Sequence, residues 1–182
     1  YALGLDYKGN LTNILSETVA ENMKEYLRMY KMVNDFVEIK SGKIINVAFK
    51  ITVYVDKTYD KAEVVQRIIN KVYDYMDIRR HQMGEDIYLG DLQKEITKLD
   101  GVIQFVSMIC ENKYNDGYSE DITMQETIGS NDPCFSDNEE TIDERRKIID
   151  LKASDYILFS EANSMHEIKN KDKDIIVITK VR

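Results

Sequence analysis

Gly42-Lys43-Ile44-Ile45-Asn46-Val47-Ala48-Phe49-Lys50-Ile51-Thr52-Val53-Tyr54-Val55 is the stretch on which the fold turns. Ile45, Val47, Phe49, Ile51, Val53 and Val55 hold every odd position, while Asn46, Lys50 and Thr52 hold most even ones. A period of two over about eleven residues predicts a long antiparallel strand with one buried and one wetter face. A slip of one residue would invert every side chain, so its register is expected to be unique.

Helical spacing surrounds this strand. Downstream, Asp60 is placed to cap a helix over about 61–76, with Val65, Ile68, Ile69, Val72 and Met76 facing inward. Leu89, Leu92, Ile96 and Leu99 trace a shorter helix that ends at Asp100-Gly101, where glycine accepts the left-handed conformation. Val102 to Cys110 follows as a strand that is apolar on both faces, which predicts a more central position than the first. Upstream, Ser16 and Glu17 open a helix over about 16–31. Leu15, Val19, Met23, Leu27 and Tyr30 step along one of its faces, and Lys8-Gly9-Asn10 marks a turn before it. Phe36 to Ile39 is a short strand candidate. Near the end, Tyr156 to Phe159 and Ile175 to Ile178 predict two short strands, with a solvated turn over Lys169 to Asp174.

The expected class is α+β: a strand–helix–helix–strand unit with helices on one face of an antiparallel sheet. Four parts are expected: an N-terminal helix and entry segment (1–40), the α+β core (41–112), an acidic loop-rich connection (113–150) and a C-terminal β arm (151–182). The chain opens on Tyr1 without an initiator Met or a signal peptide, and reads as a piece of something longer.

Composition narrows the partners. The 182 residues carry a net charge of −8. Between Glu111 and Asp150 stand 12 acidic and 4 basic residues, which account for all of it, because the remaining 142 residues hold 21 of each sign. That segment also contains the only proline, Pro133, as expected of an inserted connection. An acidic chain is a poor phosphate-backbone binder, and no apolar run approaches the ~20 residues of a membrane span. Neither nucleic acid nor membrane is expected as a partner.

No GxxxxGKS or GxGxxG phosphate loop is present, and His166-Glu167 lacks the second histidine of an HExxH zinc motif. His81 and His166, isolated among charged residues, read as solvated surface. Cys110 and Cys134 form no CxxC pair and read as free thiols. Asp132, Asp137, Glu139 and Glu140 could ring a Ca²⁺ ion, but without the calcium loop's glycine and terminal glutamate they read as a solvated acidic loop. No metal or cofactor is expected. Twelve tyrosines lie largely on or beside faces expected to be exposed, and tyrosine is enriched at interfaces because it buries area while keeping a polar tip. These residues favour an acidic interaction module over an enzyme.

The order of these elements carries a resemblance. Its residues are Asn22 to Asp35, a helix running into an extended entry; Gly42 to Ile51, continuing to Tyr54-Val55-Asp56; Tyr59 to Val64, opening a helix; Gly84 to Leu92; and Leu99-Asp100-Gly101-Val102. Ile157-Leu158-Phe159-Ser160, Met165 to Lys169 and Lys173-Asp174-Ile175 close the series. The series resembles the C-terminal region of the baseplate wedge proteins of contractile-tailed bacteriophages, within the wider baseplate J-like family, over about three-fifths of the chain. The Glu111–Asp150 segment departs from it by being longer and more acidic. The resemblance implies a structural, non-catalytic role in the virion's tail baseplate, reached from the host cytoplasm during assembly. Copies would pair with themselves and with other wedge subunits around the tail hub, and would relay the baseplate's change of shape to the sheath. Subunit contacts are then expected at the tyrosine-bearing first helix and the terminal strands: Tyr26, Tyr30, Tyr156, Phe159, Met165, Ile176 and Ile178. The competing reading is a ferredoxin-like regulatory module that binds a small molecule. Against it, the strand-to-helix loop Asp56 to Asp60 lacks the glycine that lets a ligand approach.

Overall fold

The computed structural model describes residues 1–32, 34–128 and 146–181. The protein is α+β, and the predicted long strand is its centre. β1 (Gly4–Leu5) and β2 (Leu11–Thr12) form a hairpin across Gly9, whose φ of +86° suits the turn. Helix α1 (Glu17–Arg28) comes next, then β3 (Lys43–Val55), α2 (Lys61–Tyr75), β4 (Ile87–Tyr88), α3 (Leu89–Thr97) and β5 (Val102–Lys113). The remaining strands are β6 (Thr127–Ile128), β7 (Arg146–Ile149), β8 (Ile157–Leu158), β9 (Ser164–Glu167) and β10 (Ile175–Val181).

The main sheet runs β10-β3-β5-β7-β6, with β9 also paired to β3. It is not purely antiparallel, as alternation alone had suggested. β5 pairs antiparallel to β3, whereas β9 and β10 run parallel to it, in succession along its other edge. α2 and α3 cover the face on which the odd residues of β3 sit. Phe49, Ile51, Val53 and Val55 pack there against Val64, Ile68 and Val72 of α2 and Leu89, Leu92 and Ile96 of α3. On α2 the residue facing inward is Val64, while Val65 is half-buried. Asp60 caps this helix by accepting the Ala62 N–H at 3.1 Å. Burying a side chain of this size contributes about 1.5–3 kcal/mol, so this face supplies most of the drive to fold. The closing residues 151–182 also feed the core, through Leu151, Leu158, Ile168 and Ile175.

Several expectations are corrected. Phe36 to Ile39 is not a strand: no strand among the described residues pairs with it, and Phe36 is 97% exposed. β5 stands in the middle of the strand order, as expected, but it is not paired along its whole length. β7 pairs only with Cys110 to Lys113, so the first half of β5 keeps a free edge among the described residues. Its apolar residues on two faces come from irregular pairing: the β3 register shifts skip Val106 and Ile103, and both are exposed. β3, by contrast, is buried on both faces at its start, where Ile44, Asn46 and Ala48 join the odd residues. Lys169 to Asp174 is not a wholly solvated turn. It forms one helical turn, Lys171–Asp174, that ends on the buried Asp174. His166 is buried, not solvated. Cys134, Pro133 and the four acidic residues considered for calcium lie outside the described residues.

Candidate assembly interface

Among the described residues, α1 and one face of the main sheet carry exposed apolar side chains. Ser16 caps α1, its hydroxyl accepting the Val19 N–H at 3.3 Å, and Glu17 sits in the first turn, where the helix dipole favours an acid. Val19, Met23 and Leu27 line one side as the spacing predicted, joined by Tyr26 and by Tyr30 just past the helix end. Yet no residue of α1 is buried. The Tyr26 and Tyr30 rings stand 5.2 Å apart, 59% and 70% exposed. A twelve-residue helix is marginal in water, and in proteins such helices are held by packing of their apolar face.

The second surface is the face of the sheet opposite α2 and α3. Its half nearest the start of β3 is closed by polar contacts. Leu11 N–H donates to Glu167 at 2.6 Å, Ser119 N–H donates to the Asn46 side chain at 2.7 Å, and Ile44 N–H donates to Asp121 at 2.9 Å. The half toward the end of β3 is not covered by any described residue. The parallel register sets Ile176 beside Lys50, Ile178 beside Thr52 and Lys180 beside Tyr54, all on this face. Ile176 and Ile178 are 51% and 38% exposed.

The seven residues expected at contacts fall in three places. Tyr26 and Tyr30 are on α1, and Ile176 and Ile178 are on the sheet face opposite α2 and α3. Tyr156, Phe159 and Met165 flank the β8–β9 turn. Tyr156 is half-buried against the core with φ +59°, and Met165 is half-buried opposite Ile44. Phe159 is exposed on the rim of a cleft of about 230 Å³ that Ile45, Gln125, Ser160 and Ser164 also line.

The same turn holds polar groups that the linear pattern did not reveal. Ser160 Oγ lies 2.6 Å from the Glu85 carbonyl and 3.1 Å from His166 Nδ1. A carbonyl only accepts, so the serine hydrogen is committed to it and His166 Nδ1 donates to the serine oxygen. His166 Nε2 is therefore a bare lone pair, with no partner among the described residues. Burial lowers the His166 pKa to about 4, so the ring is neutral. Next along β9, burial raises the Glu167 carboxyl above its ordinary value, against the pull of the Leu11 N–H and the Asn46 amide. Glu167 lines a more polar cleft of about 390 Å³ with Asn46, Tyr118, Asp121 and Lys169. Sequence reasoning missed both residues because Met165-His166-Glu167-Ile168-Lys169 reads as polar surface. Only parallel pairing to β3 puts His166 and Glu167 inside. Cys110 is a buried free thiol whose pKa burial raises.

Among the described residues no three His, Cys, Asp or Glu side chains group as metal ligands, and no helix is long and apolar enough to cross a membrane. Compared with family models and with curated proteins, the chain matches none.

Proposed function

We propose that this chain is a structural subunit of a contractile-tail baseplate wedge. In this reading it binds copies of itself and other wedge subunits in the ring around the tail hub, and relays the baseplate's rearrangement to the sheath. The observation that carries the reading is α1, a capped, amphipathic helix whose apolar stripe stays exposed among the described residues. Such a stripe is stabilised only when a partner removes it from water. The order β3-α2-β4-α3-β5, strand–helix–helix–strand apart from the two-residue β4, supports it as well, since the quoted motifs resemble the wedge proteins in that order.

The test is capture from infected cells with the tagged chain, together with imaging of tail particles decorated through the tag. Recovery of other tail proteins and density at the baseplate are expected. A chain that captures no tail protein and decorates no particle overturns the reading.

A further inference from the structure

We propose that His81 and His166 form a two-ligand site for a soft monovalent cation of the cuprous class, with His81 Nδ1 and His166 Nε2 as its donors. The site is independent of the assembly reading above.

Three hydrogen bonds seat the loop that follows α2 on the β8–β9 turn. Gly84 N–H donates to the Ser164 carbonyl at 2.9 Å, Ser160 N–H donates to Asp86 Oδ1 at 2.8 Å, and the Ser160 hydroxyl donates to the Glu85 carbonyl at 2.6 Å. His81 enters this junction from the loop and His166 from β9. His166 is 2% exposed and lies beside Ile45, a residue of the helix-covered face.

Each ring has already committed its N–H. His81 Nε2 lies 2.8 Å from the Tyr75 carbonyl, which only accepts, so the hydrogen is on Nε2 and Nδ1 of the neutral ring is a lone pair. His166 donates from Nδ1 to Ser160, which leaves its lone pair on Nε2. Both lone pairs are shut from solvent, and neither has a hydrogen-bond partner among the described residues. Two acceptors cannot satisfy each other. His81 also disfavours a proton on His166, so the two rings are near enough to interact. An imidazole whose N–H is held by a neighbouring acceptor, with the other nitrogen bare, is the form in which histidine ligates a metal.

The donor set selects the ion. A structural zinc takes four ligands, and no third His, Cys, Asp or Glu groups with these two among the described residues. Both donors are neutral, and the cost of burying an ion rises with the square of its charge, which disfavours any dication. Cu(I), with Ag(I) as its redox-inert analogue, is a monocation with a filled d shell that two nitrogen ligands satisfy, and imidazole suits copper. Asp86, held to the turn by Ser160, favours positive charge at His166. Ser160 also lines the cleft of about 230 Å³, which gives an ion a way in.

The test is titration of the untagged chain with Ag(I), and with Cu(I) under anaerobic reducing conditions, against a chromophoric chelator. One equivalent is expected to be retained, and Zn²⁺ should not displace it. In ¹⁵N spectra of the wild-type chain the imidazole nitrogens that move should be His81 Nδ1 and His166 Nε2. His81→Phe and His166→Phe are each expected to weaken binding by ~100-fold or more. His81 is half-exposed, so its variant should fold; if His166→Phe does not, the wild-type spectra and His81→Phe decide. The eight methionines are competing soft donors, so binding unchanged in His81→Phe marks a thioether site and overturns the proposal. No retained ion, displacement by Zn²⁺, or movement of the opposite nitrogen of either ring overturns it as well.

Discussion

Lys113 Nζ lies 2.9 Å from Asp174 Oδ1, joining the end of β5 to the start of β10 across the central strand, with the aspartate 1% exposed. Tyr118 donates its hydroxyl to the same oxygen at 2.6 Å, and Asn170 N–H donates to Oδ2 at 2.7 Å. The carboxylate thus collects three donors and pins the helical turn that launches β10. Removing one partner of a buried pair leaves the other charge unpaired, which costs more than the pair itself contributes. Asp174→Ala should destabilise the fold by about 3–5 kcal/mol in urea titration. A loss below about 1 kcal/mol would show that water replaces the carboxylate.

His166 predicts a pH dependence with a definite sign. Its folded pKa, about 4, lies below the ordinary 6.5, so the unfolded chain binds this proton more readily. The stabilisation is complete above pH 6.5 and is lost as the pH falls toward 4. Between pH 7 and pH 5 this residue alone should remove about 2 kcal/mol of stability. The raised Glu167 acts in the opposite sense, so the readout is a difference between variants. His166→Phe should flatten the stability profile between pH 7 and 5, and an unchanged slope would place the titration elsewhere.

Gly101 closes α3 into β5 with φ +90°, and its carbonyl accepts the Asp56 N–H at 3.0 Å. A Cβ there would meet Val64 Cγ2 at 2.7 Å and the Tyr59 ring at 3.0 Å. Left-handed backbone and overpacking each cost about 1–3 kcal/mol, so Gly101→Ala should lose about 2–4 kcal/mol of stability. Gly90, whose Cβ would meet open space, is the internal control.

Ser16→Ala tests whether α1 opens independently of the core. Loss of an N-cap costs about 1 kcal/mol, equivalent to a roughly fivefold fall in hydrogen-exchange protection. The fall should be confined to α1 in the monomer, with the global melting temperature unchanged. A matching global loss would show that α1 is coupled to the core.

Where burial follows one face of one element, the sequence was sufficient. Period two over Ile45 to Val55 and the spacing of Leu89, Leu92 and Ile96 both predicted the residues that are buried, because each pattern is a local consequence of strand and helix geometry. Ser16 and Asp60 were legible as caps for the same reason. Irregular pairing was not legible. Val106 and Ile103 look like core until the β3 register skips them, and no local signal marks a bulge in an apolar run.

The candidate interface divides the same way. The apolar stripe of α1 and the apolar residues of β10 are written in the linear order of residues. Their exposure is not, because it depends on what other segments cover, and the described residues cover only half of the second sheet face. His166, Glu167 and Asp174 show the converse. Their polar neighbours in sequence predict surface, and parallel pairing of β9 and β10 to β3 puts them inside. Sequence alone determined which faces are apolar, since periodicity is local. Only the tertiary structure decided which of those faces meet water, since β9 and β10 reach β3 from more than a hundred residues away.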